Sequence, residues 1–123
     1  MLDATALLDL LLGTDSGKRV AAGIAQRQLH LSEEAQSHCL RALWRLHRQD
    51  RLGRRPLLQR VQLLARLPAE RHPTVGLLGE ALGTDPTLGM GDSLSLALGR
   101  RLGLDVLSTD PRLAAVSPGV VLV

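Results

Sequence analysis

The chain has 123 residues and a hydrophobic fraction of 45%, the size and composition of one globular domain, which excludes wholesale disorder. Aromatic content is 1% (one Trp, no Phe, no Tyr), so the core must be built from Leu, Val, Ile and Ala, and base recognition by stacking on aromatic rings is disfavoured. Net charge is +3, but residues 41–71 carry nine arginines against Asp50 and Glu70, a local +7 that leaves −4 for the rest, as expected for an anionic partner beside a cation-binding region or for a solvated helical face.

In chain order, the short apolar piece Met1-Leu2 precedes Asp3, and the spacing predicts a helix from Ala4 to Leu12 closed by Gly13. Asp15 or Ser16 can cap a second helix to about Gln26, with Val20, Ala21 and Ile24 on one face. Leu29-His30-Leu31 alternates as a short strand does. Ser32 is a good N-cap for a long helix with Glu33 and Glu34 in its first turn and Ala35, Cys39, Ala42, Leu43 and Leu46 at helical spacing. A helix through Leu67 begins with Pro56 in its first turn and buries Leu57, Leu58, Val61, Leu64 and Ala65. Thr74 to Leu82 reads as a further helix ended by Gly83. Gly91 and Asp92 open the next, with Leu94, Leu98 and Leu102 inward and Gly103 as C-cap. Val106-Leu107-Ser108 is a buried-type strand leading to Thr109-Asp110, and Val120 to Val123 is the last strand.

Strands alternating with helices imply one α/β domain over residues 1–123, a three-layer α/β/α sandwich around a mostly parallel sheet. In such sheets the functional crevice lies at the carboxyl ends of the strands, where Asp3 and Asp110 fall, with Asp92 at a helix start. The single cysteine, Cys39, permits no internal disulfide and fits a reducing compartment. Asp3 stands where a signal peptide would carry positive charge, and the apolar stretch Ala6 to Leu12 is broken by Asp9 and too short for a bilayer. A cytoplasmic protein without a membrane span is expected.

Three stretches carry a family resemblance. M-L-D-A-T-A-L-L (1–8), G-M-G-D-S-L-S-L-A-L (89–98) and V-L-S-T-D-P-R-L-A (106–114) resemble, in order and spacing, the first, third and last acidic motifs of the PIN-domain nucleases, the fold of VapC-type toxins. The resemblance implies that Asp3, Asp92 and Asp110 are catalytic and hold Mg²⁺ or Mn²⁺. It implies a metal-dependent ribonuclease acting on RNA, a homodimer, and a small antitoxin protein whose tail covers the site. Each Asp also has a plain structural reading as a helix cap or turn residue.

The family's second acid is a Glu inside the long helix, and aligning L-H-L-S-E-E-A-Q-S-H-C-L-R-A-L-W-R-L (29–46) with that element places His38 at its position. Glu34 lies one turn earlier on the same face and is the candidate substitute; otherwise the site has three carboxylates and an imidazole. An imidazole suits Mn²⁺ or Zn²⁺ better than Mg²⁺, and losing a carboxylate lowers cation affinity. The alternative function is therefore a degenerate PIN-like domain that binds RNA or protein without cutting. A third reading is an unrelated α/β scaffold whose acids are only caps.

Other residues admit two readings each. Ser108 and Thr109 either orient a carboxylate or water, or close a strand end. His38 reads as a partly buried, hydrogen-bonded histidine rather than a general base, and His72, before Pro73, reads as a loop residue. Cys39 is expected in the core and Trp44 in packing or an interface. Arg41, Arg45 and Arg48 share one helix face; as RNA-binding residues they would contact phosphate, and the competing reading is a dimer or partner-protein surface.

Overall fold

The structure is a computed structural model that describes residues 1–123. Helices α1 (Ala4–Leu12) and α2 (Asp15–Ile24) precede strand β1 (Leu29–Ser32). Helices α3 (Glu33–Arg48) and α4 (Arg54–Arg66) lead to β2 (Ala69–His72). A 3-10 turn (Val75–Leu77), α5 (Leu78–Ala81) and α6 (Met90–Leu102) follow, then β3 (Val106–Ser108), α7 (Pro111–Val116) and β4 (Val120–Leu122).

β1 pairs in parallel with β2, and β3 with β4. The chain start joins the two pairs: Leu2 bridges in parallel to Leu31 on one side and Leu107 on the other. Its neighbours complete the rung, with Leu107 N–H donating to the Met1 carbonyl at 2.7 Å and Asp3 N–H to the Leu107 carbonyl at 3.1 Å. All strands therefore run one way, in the order β2–β1–Leu2–β3–β4, and all end at one edge.

The pleat divides the core. Leu2, Leu29, Leu31 and Leu107 pack with Leu7, Leu11, Cys39, Leu43 and Leu64 from α1, α3 and α4. Met1, Val106 and Val120 pack on the opposite side with Leu77, Ala81, Leu94, Leu96, Ala97 and Leu98, and with Leu113. Helices cover both faces, as the alternation predicts, and each fully buried leucine contributes roughly 1.5–3 kcal/mol. Gly99 sets α6 against the sheet: a Cβ there would stand 2.8 Å from Val106 Cγ2 and 3.1 Å from the Leu104 carbonyl.

Several boundaries differ from the sequence reading. Thr14, whose hydroxyl accepts from Gly17 N–H, caps α2, rather than Asp15 or Ser16. The span 74–82 is a 3-10 turn followed by a single helical turn rather than one helix, since Gly76 and Gly79 weaken it. β2 is an unanticipated strand, and His72 ends it, paired with Ser32, instead of lying in a loop. Its sequence A-E-R-H has no apolar alternation. Pairing with β1 holds this edge, aided by Arg71, which donates to the Leu64 carbonyl at 2.7 Å and the Leu67 carbonyl at 3.0 Å at the end of α4.

Candidate active site

The three aspartates reach the carboxyl edge from three different local structures. Asp3 follows the central rung and caps α1, its Oδ1 accepting from Ala6 N–H and from the Thr5 hydroxyl, both at 2.9 Å. Asp110 follows β3 and caps α7, its Oδ1 accepting from Arg112 N–H at 2.9 Å, with Pro111 at the first helical position. Asp92 caps nothing. Gly89 holds the N-cap position of α6, and Asp92 lies in the first turn, where the helix dipole favours an acid. Cap and site roles are thus compatible at Asp3, whose Oδ1 holds the turn and whose Oδ2 has no partner, whereas at Asp110 the Arg112 side chain reaches both oxygens.

Asp3 is 1% exposed, and its Oδ2 is buried without any hydrogen-bond partner. Burial raises its pKa, against the hydrogen bonds from Ala6, Ser108 and Thr5, and the charge of Asp92 pushes it further up. Burial also raises Asp92, assisted by the charge of Asp110 and opposed by His38 and Arg112. Asp110 goes the other way. Arg112 holds it below the ordinary carboxylate range, with Nε 3.3 Å from Oδ1 and Nη2 3.4 Å from Oδ2. Three carboxylates that feel one another, one with a bare buried oxygen, make a site short of positive charge.

A cleft of about 370 Å³ opens there, lined by Thr5, Glu34, His38, Asp92, Ser95, Asp110 and Arg112 among others. Glu34 and His38 both face it, one turn apart on α3. The Glu34 Oε1 lies 3.6 Å from the place a Cβ would occupy at Gly91, so the bare α6 backbone leaves room for that carboxylate beside Asp92. Arg41, a further turn along α3, bonds the same Oε1 through Nη2 at 3.2 Å. The cleft is open rather than a closed cage. The one group of three potential ligands with donor atoms all within 4.8 Å of one another is His30, Glu70 and His72, outside it.

The hydroxyls at the end of β3 separate into two roles. Ser108 Oγ lies 3.2 Å from Thr5 Oγ1 and accepts from Asp110 N–H at 3.0 Å, so it links the supports of Asp3 and Asp110. Thr109 turns to α1 and donates to Asp9 Oδ2 at 2.7 Å, a brace that the sequence reading did not include. Cys39 is buried as expected. Its thiol donates to the Ala4 carbonyl at 3.4 Å, and burial with the Asp3 charge pushes its pKa up to about 12, which rules out a thiolate nucleophile.

Arg45 and Arg48 stand further from the acids. With Arg41 they border an exposed groove floored by Leu40, Trp44, Leu57, Leu58 and Val61 between α3 and α4. The Arg48 guanidinium lies 5.8 Å from the centre of the Trp44 ring. No helix is long and apolar enough to cross a membrane.

A family model described as "PIN domain" matches residues 1–117. The chain is also 33% identical over 119 residues to "Ribonuclease VapC3" of Mycobacterium tuberculosis, in both strain CDC 1551 / Oshkosh and strain ATCC 25618 / H37Rv; the match covers 96% of this chain and 87% of each relative. With the parallel sheet and the acids at its carboxyl edge, these matches establish that the chain belongs to the PIN-domain family.

Proposed function

We propose that this protein is a divalent-metal-dependent ribonuclease of the toxin–antitoxin type. The observation that carries the proposal is the convergence of Asp92, Asp110 and Glu34 on one cleft, with Asp3 next to its Ala4–Thr5 wall, the Asp3 Oδ2 buried and unpartnered and its carboxyl feeling the charge of Asp92. That set of hard oxygen donors fits Mg²⁺ or Mn²⁺, and an open cleft suits an ion that keeps part of its water shell. When bound there, such ions would supply activation of a water and neutralisation of charge on the attacked phosphate.

The protein's own groups do the rest. Thr5, Ser108 and the Ala6 N–H hold Asp3 in one orientation. The first turn of α6 presents Asp92, and the α7 cap presents Asp110. Arg112, 91% exposed at its side chain, stands at the mouth and can exchange the Asp110 carboxylate for an RNA phosphate oxygen. Arg41 continues the cationic path along α3. Hydrolysis then forms one bond from the water oxygen to phosphorus, breaks one phosphodiester P–O bond, and leaves a proton on the departing oxygen.

The non-catalytic reading rests on His38 replacing the family's glutamate. Glu34 supplies a carboxylate to the same cleft from one turn earlier, which favours the enzyme. For Arg45 and Arg48 the apolar groove beside them favours a protein partner over RNA alone. A homodimer and a small antitoxin protein are the partners this reading includes, and a cytoplasmic location follows from it.

The test compares the parent with Asp92→Asn on structured RNAs in Mg²⁺ and in Mn²⁺. Discrete products from the parent, reduced at least about a hundredfold in a variant with unchanged circular dichroism, support the assignment. Equal cleavage by the variant, or no cleavage by folded, antitoxin-free parent, counts against it.

A further inference from the structure

The edge strand β2 carries a cluster that the acidic cleft does not use. The register sets His30 opposite Glu70 and Ser32 opposite His72. Strand alternation then puts His30, Glu70 and His72 on one face of the sheet, His72 diagonal to His30. His30 Nδ1 lies 3.0 Å from His72 Nε2 and 3.6 Å from Glu70 Oε2. All three donor atoms fall within 4.8 Å of one another, and none of the three residues lines the acidic cleft.

We propose that His30, Glu70 and His72 form a separate site for a transition cation, Zn²⁺ above all, which clasps β2 to β1. Two ligands on a tetrahedral Zn²⁺, each at about 2.0–2.1 Å, stand about 3.3 Å apart. The 3.0 Å and 3.6 Å separations from His30 bracket that value, and the His72 and Glu70 donors, further apart but within 4.8 Å, close on one ion by rotation of the exposed Glu70 side chain. The two imidazole rings are 21° from parallel with centroids 5.2 Å apart, and the facing nitrogens are joined by a single hydrogen bond. A cation in place of the shared proton would meet a lone pair from each ring. Two nitrogens and one carboxylate select Zn²⁺, Ni²⁺ or Cu²⁺ over Mg²⁺. The Glu70 side chain is 60% exposed, which gives the ion an entry path and leaves the fourth position to water.

The site has a structural use. β2 is an edge strand of four residues without a large apolar side chain, so its attachment rests on backbone pairing and on Arg71. A cation bound only in the folded state adds stability through mass action. The competing view is a polar cross-strand contact that binds nothing, and a metal titration separates the two.

Full-length protein stripped with a chelator is titrated with Zn²⁺ alone by calorimetry, then with Co²⁺ while its visible spectrum is followed. The parent and Asp92→Asn should each bind one equivalent of Zn²⁺ that His72→Gln and His30→Gln weaken by roughly 100-fold and Glu70→Gln by roughly 10-fold. Co²⁺ in the same place should give the intense bands of a four-coordinate ion in Asp92→Asn and not in His72→Gln. Zinc binding that Asp92→Asn abolishes, or that His72→Gln and Glu70→Gln leave unchanged, would overturn the proposal. Should either histidine variant fail to fold, Glu70→Gln decides, because its side chain is mostly in solvent.

Discussion

Glu34 on α3 and Gly91 on α6 are packed so that the Glu34 Oε1 lies 3.6 Å from the position of a missing Cβ. This approach brings the Glu34 carboxylate into the cleft with Asp92 and Asp110, although His38 lies a turn further on the same face. Glu34→Gln should therefore lower RNA cleavage by roughly 10- to 100-fold and weaken Mg²⁺ binding, while His38→Ala costs less. His38→Glu adds a negative charge beside Asp92 and should tighten Mg²⁺. Calorimetric Mg²⁺ titration with initial cleavage rates checks the order, and His38→Ala proving the more damaging would reassign the position.

Arg112 pairs with Asp110 and, in the proposed metal site, would compete with the cation for it. Removing it in Arg112→Ala should let the Asp110 carboxyl rise toward its ordinary value. Mn²⁺ binding in the absence of RNA should tighten only slightly, since solvent screens so exposed an ion pair. The same variant should bind RNA more weakly. Opposite shifts in the two affinities are the signature to measure; a parallel loss of both would make Arg112 a structural residue.

The acid pair gives the metal-free protein an unusual pH profile. Asp3 and Asp92 are raised in the fold, so between the ordinary carboxylate pKa and their raised values the native state binds more protons than the unfolded chain. Their contribution to stability is present at lower pH and lost as pH climbs through that window. Asp110, held low, contributes in the opposite sense: its stabilisation is present above the ordinary carboxylate value and lost as pH falls through its folded value. Melting temperatures from about pH 4 to 7 should fall on the alkaline side in chelator, flatten in Asp3→Asn, and recover with excess Mg²⁺. A profile indifferent to Mg²⁺ would show that the carboxylates do not hold the ion.

Arg41, Arg45 and Arg48 can be apportioned between RNA and protein by salt. Deleting a guanidinium that binds one phosphate should reduce the slope of log affinity against log salt by about 0.7 for single-stranded RNA. Arg41→Ala should do so. Arg45→Ala and Arg48→Ala should instead weaken self-association or antitoxin binding, measured by analytical ultracentrifugation, because they border the apolar groove without the bond to a cleft residue that Arg41 makes to Glu34. Equal salt-slope changes in all three would place RNA along the whole helix face.

Features whose physics is local are legible in the chain alone. The cap at Ser32, the C-terminal glycines 13 and 103, and the alternation of helices with apolar strands each rest on a few neighbouring residues. The three aspartates stand out because motif order and turn chemistry agree around them. Features that depend on docking between distant segments emerge only from the folded chain. A face shared by Glu34 and His38 does not say which side chain meets α6; the close approach at Gly91 does. A-E-R-H lacks the pattern of a strand and becomes one because β1 has unpaired backbone groups to satisfy, and that pairing brings His72 from an expected loop to 3.0 Å from His30.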